Sequence, residues 1–543
     1  MKVSKKADIF NKVSIGTPKR NTFDLSHEKL FTCDMGMAVP ILCEEAYPNE
    51  HWSVGSTTLC RTAPLARPMM STVTIKKQNY FIRNQILWSN WNLFITGGDK
   101  FQEAAPVPVA PYVTIPIGGF PVGSLADYLG FPTLQGQGMK VSAFPFAAYL
   151  RTMQEYFFDE NLQNTTLIML ADGDNTIAFQ TFPWMGGTRN LLTSPPLPVC
   201  WEKDYFTAAL PEPQKGPEVT IPLGDTADIV WNTESPSGAA PLYRGDGTTP
   251  AADGGLDSFS IGTDNFMQAN GDGFPLVMDN TAYMKVDLSS ATSATINDLR
   301  RSYALQRLYE RLNRGGSRTP EFLRSVWGAN PKNLELDRPD YFGGAKEFLS
   351  ISEVLQQSQT TTDGDDASPQ GNMSGHGVAV VGSNMSQYST NDYGVMLSLF
   401  WVKPKTMYMQ GVRRSWLRLD NRFDYFFPDL ANIGEQPVLN AEVFFRADSD
   451  ANAETFGYMP YGTDLRYIPD TVHGEFRSTQ KDWTLVREFE SLAPPALNEA
   501  FVVCDPSKRV FVDTSPLTHS IYVQHLNKLF VKRCIPLFGT PNP

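Results

Sequence analysis

The sequence has no run of about 18 apolar residues, so no membrane-spanning helix is expected. Its start, Met1-Lys2-Val3-Ser4-Lys5-Lys6, carries charge with no apolar stretch behind it, so no secretory signal is expected. Cysteine is scarce: the six residues (33, 43, 60, 200, 504 and 534) form no CxxC pair and read as reduced, mostly buried thiols of a cytoplasmically made chain. The six histidines (27, 51, 376, 473, 519 and 525) are dispersed, with no two at the i,i+4 spacing that pairs metal ligands on a helix. No HExxH, GxSxG or Walker-type loop occurs, and no convincing GxGxxG follows a strand. Asp172-Gly173-Asp174-Asn175 and Asp363-Gly364-Asp365-Asp366 start like calcium loops, but the first lacks the later glycine and bidentate acid. Both read as turns. No catalytic, cofactor-binding or metal-binding residue is therefore expected. Charge too is sparse, 19% of residues against roughly 25% in an average soluble chain.

What the chain has instead is length, aromatics and turn formers. Its 543 residues are 41% hydrophobic and 12% aromatic, enough for a large core, while 41 glycines and 40 prolines favour strands, turns and long ordered loops. A net charge of -12 excludes a globally basic nucleic-acid binder. Strand signals lie at Val73-Ile82 and Val395-Val402, then at Val438-Leu439, Val443-Phe445, Phe501-Val503, Val510-Val512 and Ile521-Val523. These short apolar runs between Pro- and Gly-rich connections predict an antiparallel sandwich with large excursions. One central helix is predicted from Asn297 to Arg314, with Leu305, Leu308, Tyr309 and Leu312 on one face and Gly315-Gly316 as stop. A second is predicted from Pro320 to Trp327, capped by Thr319 and ended by Gly328.

Charge is distributed unevenly. Residues 225–282 hold nine acids (Asp225, Asp228, Glu234, Asp246, Asp253, Asp257, Asp264, Asp272 and Asp279) against Arg244 alone, with few large apolar residues. Such a segment belongs on a surface, as a solvated loop or as a displayed recognition element. The first twenty residues are the opposite: Lys2, Lys5, Lys6, Lys12, Lys19 and Arg20 face only Asp8. A basic arm of this kind neutralises phosphates without sequence preference. A second basic set, Arg300, Arg301, Arg307, Arg311, Arg314, Arg318 and Arg324, reads mainly as helix-end compensation and salt bridging. The aromatic run Phe423-Asp424-Tyr425-Phe426-Phe427-Pro428 suits packing in a core or interface, with base stacking as the other use.

Phe23-Asp24-Leu25-Ser26-His27-Glu28-Lys29-Leu30-Phe31-Thr32-Cys33-Asp34-Met35-Gly36-Met37 closely resembles the opening of the major capsid proteins of gokushovirus-type Microviridae. The likeness continues in order through Phe94-Gly98, Asp204-Thr207, Pro211-Gly216, Ile221-Gly224, Asn313-Arg318, Arg338-Gly344 and Ser368-Asn372. It then runs through Ile433-Asn440, Phe456-Tyr458, Gly474-Thr479 and Phe538-Pro541. Residues 225–282, the neighbourhood of Ala447–Thr455 and the ending Pro541-Asn542-Pro543 depart from the pattern.

The resemblance implies a mainly β fold, an eight-stranded antiparallel jelly roll (β-sandwich or barrel) with long inter-strand insertions containing a few short helices. It implies a basic N-terminal arm at 1–22, a single capsid domain at 23–543 and a variable surface insertion at 225–282 that forms a protrusion at three-fold axes. The function implied is structural and non-enzymatic: self-assembly of about 60 copies into a T = 1 icosahedral shell around circular single-stranded DNA. On this reading Lys2, Lys5, Lys6, Lys12, Lys19 and Arg20 contact the genome from inside, and host attachment lies within 225–282. Partners are then other copies of the chain, genomic single-stranded DNA, internal scaffolding, pilot and small DNA-binding phage proteins, and a host surface receptor. No membrane insertion and no cofactor are implied. The expected location is the virion, after synthesis and assembly in the bacterial cytoplasm. Such strands also serve a jelly-roll carbohydrate-binding protein or a β-sandwich hydrolase; for the second, the sequence marks no catalytic carboxylate pair.

Overall fold

The computed structural model describes residues 20–97, 108–133, 136, 138–163, 168–219, 296–316, 318–355, 357, 373–419, 421–447, 449–490 and 494–537, and the backbone of six short strands between 228 and 287. The chain divides into two units, one made of Met1–Pro213 with Leu312–Pro543 and the other of Gln214–Arg311.

In the larger unit, ten strands build two antiparallel sheets. They are β1 (Asn21–Asp24), β2 (His27–Cys33), β3 (Val39–Ala46), β4 (Glu50–Thr62) and β5 (Val73–Arg83) near the start. Then come β6 (Asp340–Phe348), β7 (Ser350–Leu355), β8 (Met373–Thr390), β9 (Gly394–Pro404) and β10 (Ile521–Arg533). The first sheet runs β1/β2-β10-β4-β8-β7, with β1 and β2 pairing successive lengths of β10. The second runs β6-β5-β9-β3. The fold is thus mainly β, built from antiparallel sheets in a β-sandwich.

Residues from both sheets share the core. At one end Cys33, Ile41, Cys60, Ile75, Phe400, Val402 and Val523 form a buried cluster; at the other Trp52, Val54, Phe81, Met396, Leu529 and Val531 form another. The strands explain the gap between them. Stepping by two along β5, Ile75 is followed by Lys77, Asn79 and then Phe81; along β10, Val523 is followed by His525, Asn527 and Leu529. β4 and β9 contribute Thr58, Ser56 and Ser398 at the same level. A buried polar layer therefore crosses the sandwich. His525 shares hydrogen bonds with Thr58 (2.7 Å) and Asn527 (2.9 Å), and Ser398 donates to Asn79 Oδ1 (2.8 Å). The Lys77 ammonium, 1% exposed, has no hydrogen-bond partner among the described residues. Burial pushes it down to about 7. Burial, with Lys77, Lys29 and His27 nearby, pushes the His525 imidazole down to about 3.

The far face of the second sheet is covered. Helix α1 (Phe144–Tyr156) and the segment around Val113–Trp201 pack onto Tyr80, Ile82, Val395, Leu397, Leu399 and Trp401. That is why β9 is apolar along nearly its whole length: both of its faces are buried. A further core, with Tyr205, Phe206, Tyr408, Val438, Val443, Phe456 and Phe501, holds together residues 201–213 and 405–505 around the paired strands Glu435–Leu439 and Thr455–Pro460. Gly411 is obligatory there, because a Cβ would sit 1.8 Å from the Glu442 carbonyl oxygen.

The strand expectations at Val73-Ile82, Val395-Val402, Val438-Leu439 and Ile521-Val523 agree with the structure. Three do not. Val443 ends the short helix Asn440–Val443, Phe501 and Val502 lie in the helix Glu499–Val502, and Val510-Val512 forms a turn with one isolated bridge. Each run is too short for periodicity to separate strand from buried helix. The central helix is α2 (Ile296–Gly315). The next, α3 (Thr319–Trp327), is capped by Arg318 rather than Thr319: Glu321 accepts the Arg318 N–H (3.3 Å), and Gly328 ends the helix at φ 66°.

Candidate interaction surfaces

Of the six arm residues expected to meet DNA, only Arg20 lies among the described residues, and its guanidinium donates to Asn49 Oδ1. Lys2, Lys5, Lys6, Lys12 and Lys19 lie outside them. Of the seven central arginines, Arg314, Arg318 and Arg324 are engaged, while Arg300, Arg301, Arg307 and Arg311 are exposed. Arg314 pairs with the buried Glu435, Arg318 donates to the Gln154 and Phe158 carbonyls beside Glu160 and Glu321, and Arg324 donates to Asn330.

The acidic segment 225–282 belongs to the smaller unit, which runs from Gln214 to Arg311. Its backbone shows three antiparallel pairs nested inside one another. Asp228–Trp231 pairs with Met284–Asp287, Leu242–Arg244 with Leu276–Met278, and Phe259–Ile261 with Met267–Ala269. Its acidic residues outside these strands lie beyond the described residues, as does Asp363-Asp366. The other turn expectation agrees with the structure: Asp174 accepts the Thr176 N–H (2.9 Å), and Trp88 donates to Asp172 (2.8 Å). Among the described residues no group of three metal-ligating side chains comes together, and no helix is long and apolar enough to cross a membrane.

The aromatic run sits in a built surface loop. Three 3-10 turns, Arg414–Trp416, Arg422–Asp424 and Pro428–Leu430, fold residues 413–433. Asn421 caps the second: its Oδ1 accepts the Phe423 N–H (3.0 Å), while Asp424 accepts the Asn421 N–H (3.3 Å). Arg418 pairs with Asp464 and lies over the Tyr425 ring, and Phe426 stacks on Tyr461 at 5.7 Å. Gln436 donates to the other Asp464 oxygen (3.1 Å). At the foot of the loop a cavity of about 420 Å³ is lined by Tyr205, Arg414, Trp416, Glu442, Tyr467 and Ile468, among others. Burial raises the Glu442 carboxyl even though Arg414 (3.1 Å) and Tyr205 (3.1 Å) donate to it. Outward from this anchored base stand Trp416 (70% exposed) and Leu419 (81% exposed). Of this surface, the sequence alone marks only Phe423-Pro428. The arginines and aromatics interleaved from Arg413 to Phe427 were the signal for the larger surface.

Comparisons with known proteins say what kind of chain carries these surfaces. The family described as capsid protein (F protein) matches residues 11–542. The capsid protein VP1 of Chlamydia phage 1 is 31% identical, across 91% of this chain and 90% of its own. That of Bdellovibrio phage phiMH2K is 30% identical, across 92% and 90%, and that of Spiroplasma virus 4 is 27% identical, across 96% and 95%. The chain belongs to the phage capsid protein (F protein) family, a family of structural proteins and not enzymes.

Proposed function

We propose that this structural major capsid protein closes, in about 60 copies, into a T = 1 icosahedral shell around circular single-stranded DNA. The observation that carries the reading is the family match across residues 11–542, and it supports residence in the virion. The topology supports a jelly roll. With β1 and β2 taken as one interrupted strand and β7 as an added edge, eight strands remain, β2-β10-β4-β8 facing β3-β9-β5-β6. Along the chain they switch sheets at every step except from β5 to β6.

The same reading takes 1–22 as an internal arm whose Lys2, Lys5, Lys6, Lys12, Lys19 and Arg20 meet genome phosphates, supported by its net charge of +5 over twenty residues. It takes 23–543 as one capsid domain and 225–282 as its host-facing protrusion, supported by nine acids against one base. Scaffolding, pilot and small DNA-binding phage proteins would be met during assembly in the host cytoplasm, and a host receptor at attachment.

Size-exclusion chromatography with negative-stain microscopy tests this, on the chain alone and co-expressed with its neighbouring phage genes. A uniform particle of roughly 3.6 MDa is expected, sixty times 60.5 kDa. A stable monomer in both preparations would refute the shell and direct attention to carbohydrate binding.

A further inference from the structure

We propose that the loop 413–433, with the turn at 463–468 on which it packs, is a contact surface between copies of this chain. The inference rests on the shell reading above and assigns one of the surfaces that a shell needs.

Nine large hydrophobic side chains in these two segments stand exposed, Trp416, Leu419, Phe423, Ile433, Leu465 and Ile468 among them. At about 150–250 Å² for a large side chain, their exposed parts together present on the order of 1,000 Å². One partner in a stable interface contributes about 800 Å². Such a patch left in water on a monomer would promote aggregation. The loop is also held in place beforehand: the Asn421 cap, the Arg418–Asp464 ion pair and the Phe426–Tyr461 stack fix its backbone, so docking orders little that is not already ordered.

Two observations favour a protein partner over nucleic acid. Leu419, Ile433, Leu465 and Ile468 have no ring face on which a base could stack. Of the five arginines here, Arg414 and Arg418 turn inward onto Glu442 and Asp464, and the exposed Arg413, Arg422 and Arg466 share the surface with the exposed Asp424 and Asp429, so it is not a continuous basic track for phosphates. The cavity of about 420 Å³ beside Trp416 is sized to take an apolar side chain from a neighbour. Because the chain is a capsid protein, that neighbour is a second copy.

The test is Leu419→Arg, and separately Trp416→Ser, in the full chain under conditions where wild type forms particles. Each variant should lower particle yield at least tenfold while the soluble subunit keeps its melting temperature. Hydrogen exchange on wild type guards against misfolded variants: amides of 413–433 should exchange at least tenfold more slowly in particles than in free subunits. Normal particle yield from both variants, or equal exchange in the two states, overturns the proposal. Normal yield with less packaged DNA also overturns it, in favour of a nucleic-acid surface. If wild type itself never forms particles, the shell reading fails and this inference falls with it.

Discussion

β9 and β10 lie inside their respective sheets, yet their sequences share little. β9 is buried along its whole length, because one face meets the sandwich core and the other meets α1 and its neighbours. β10 alternates: Ile521, Val523, Leu529 and Val531 go to the core, while Tyr522, Gln524, Lys528, Phe530 and Lys532 stand exposed. The pattern thus records what covers each face and not how central the strand is. A second contrast runs along each strand, where apolar ends are separated by the polar layer around Lys77 and His525.

Substitutions can break these contrasts in graded steps. Phe400→Ala on β9 should be the most damaging, costing about 3–5 kcal/mol in chemical denaturation, because it empties a site that is 1% exposed. Next, Lys77→Met should stabilise by about 2 kcal/mol, since it removes a buried amine with no partner among the described residues. The pH dependence carries the sign. Between about 7 and 10.5 the unfolded chain holds the Lys77 proton and the folded chain does not, so wild-type stability rises with pH across that window. That slope should flatten in Lys77→Met. His525 acts in the same direction lower down: its folded value of about 3 against 6.5 means that stability falls as pH drops from 6.5 towards 3. His525→Gln should weaken that acid slope in pH-titrated melting. Finally, Gln524→Ala on the exposed face of β10 should move stability by less than about 0.5 kcal/mol.

The residues that made these contrasts were not equally readable. Val73-Ile82 announces β5 by the alternation of Val73 and Ile75 with Thr and Lys before Tyr80-Phe81-Ile82, and Val395-Val402 announces β9 by an apolar run stopped at Lys403-Pro404. β8 was missed: its Gly375, Gly377, Gly382, Ser383 and Asn384 have little strand preference, and pairing with β4 and β7 holds it extended. The polar layer was invisible because Lys77 and His525 look like solvent-facing residues until the opposite sheet is in place. Of the aromatic surface, Phe423-Pro428 was legible as a cluster. Leu465 and Ile468 join it only through the fold, by way of Arg418–Asp464 and Phe426–Tyr461.

One pairing bears on synthesis. β10 lies between β1/β2 and β4, with Asn21 opposite Arg533 and Thr62 opposite Ile521. β1 and β2 must wait, unpaired along that edge, until residues 521–533 have been made. Such distant pairing is slow to close and leaves strand edges open meanwhile. It also acts as a length check, because a product truncated before residue 521 lacks the strand that joins its own beginning to the rest of the first sheet.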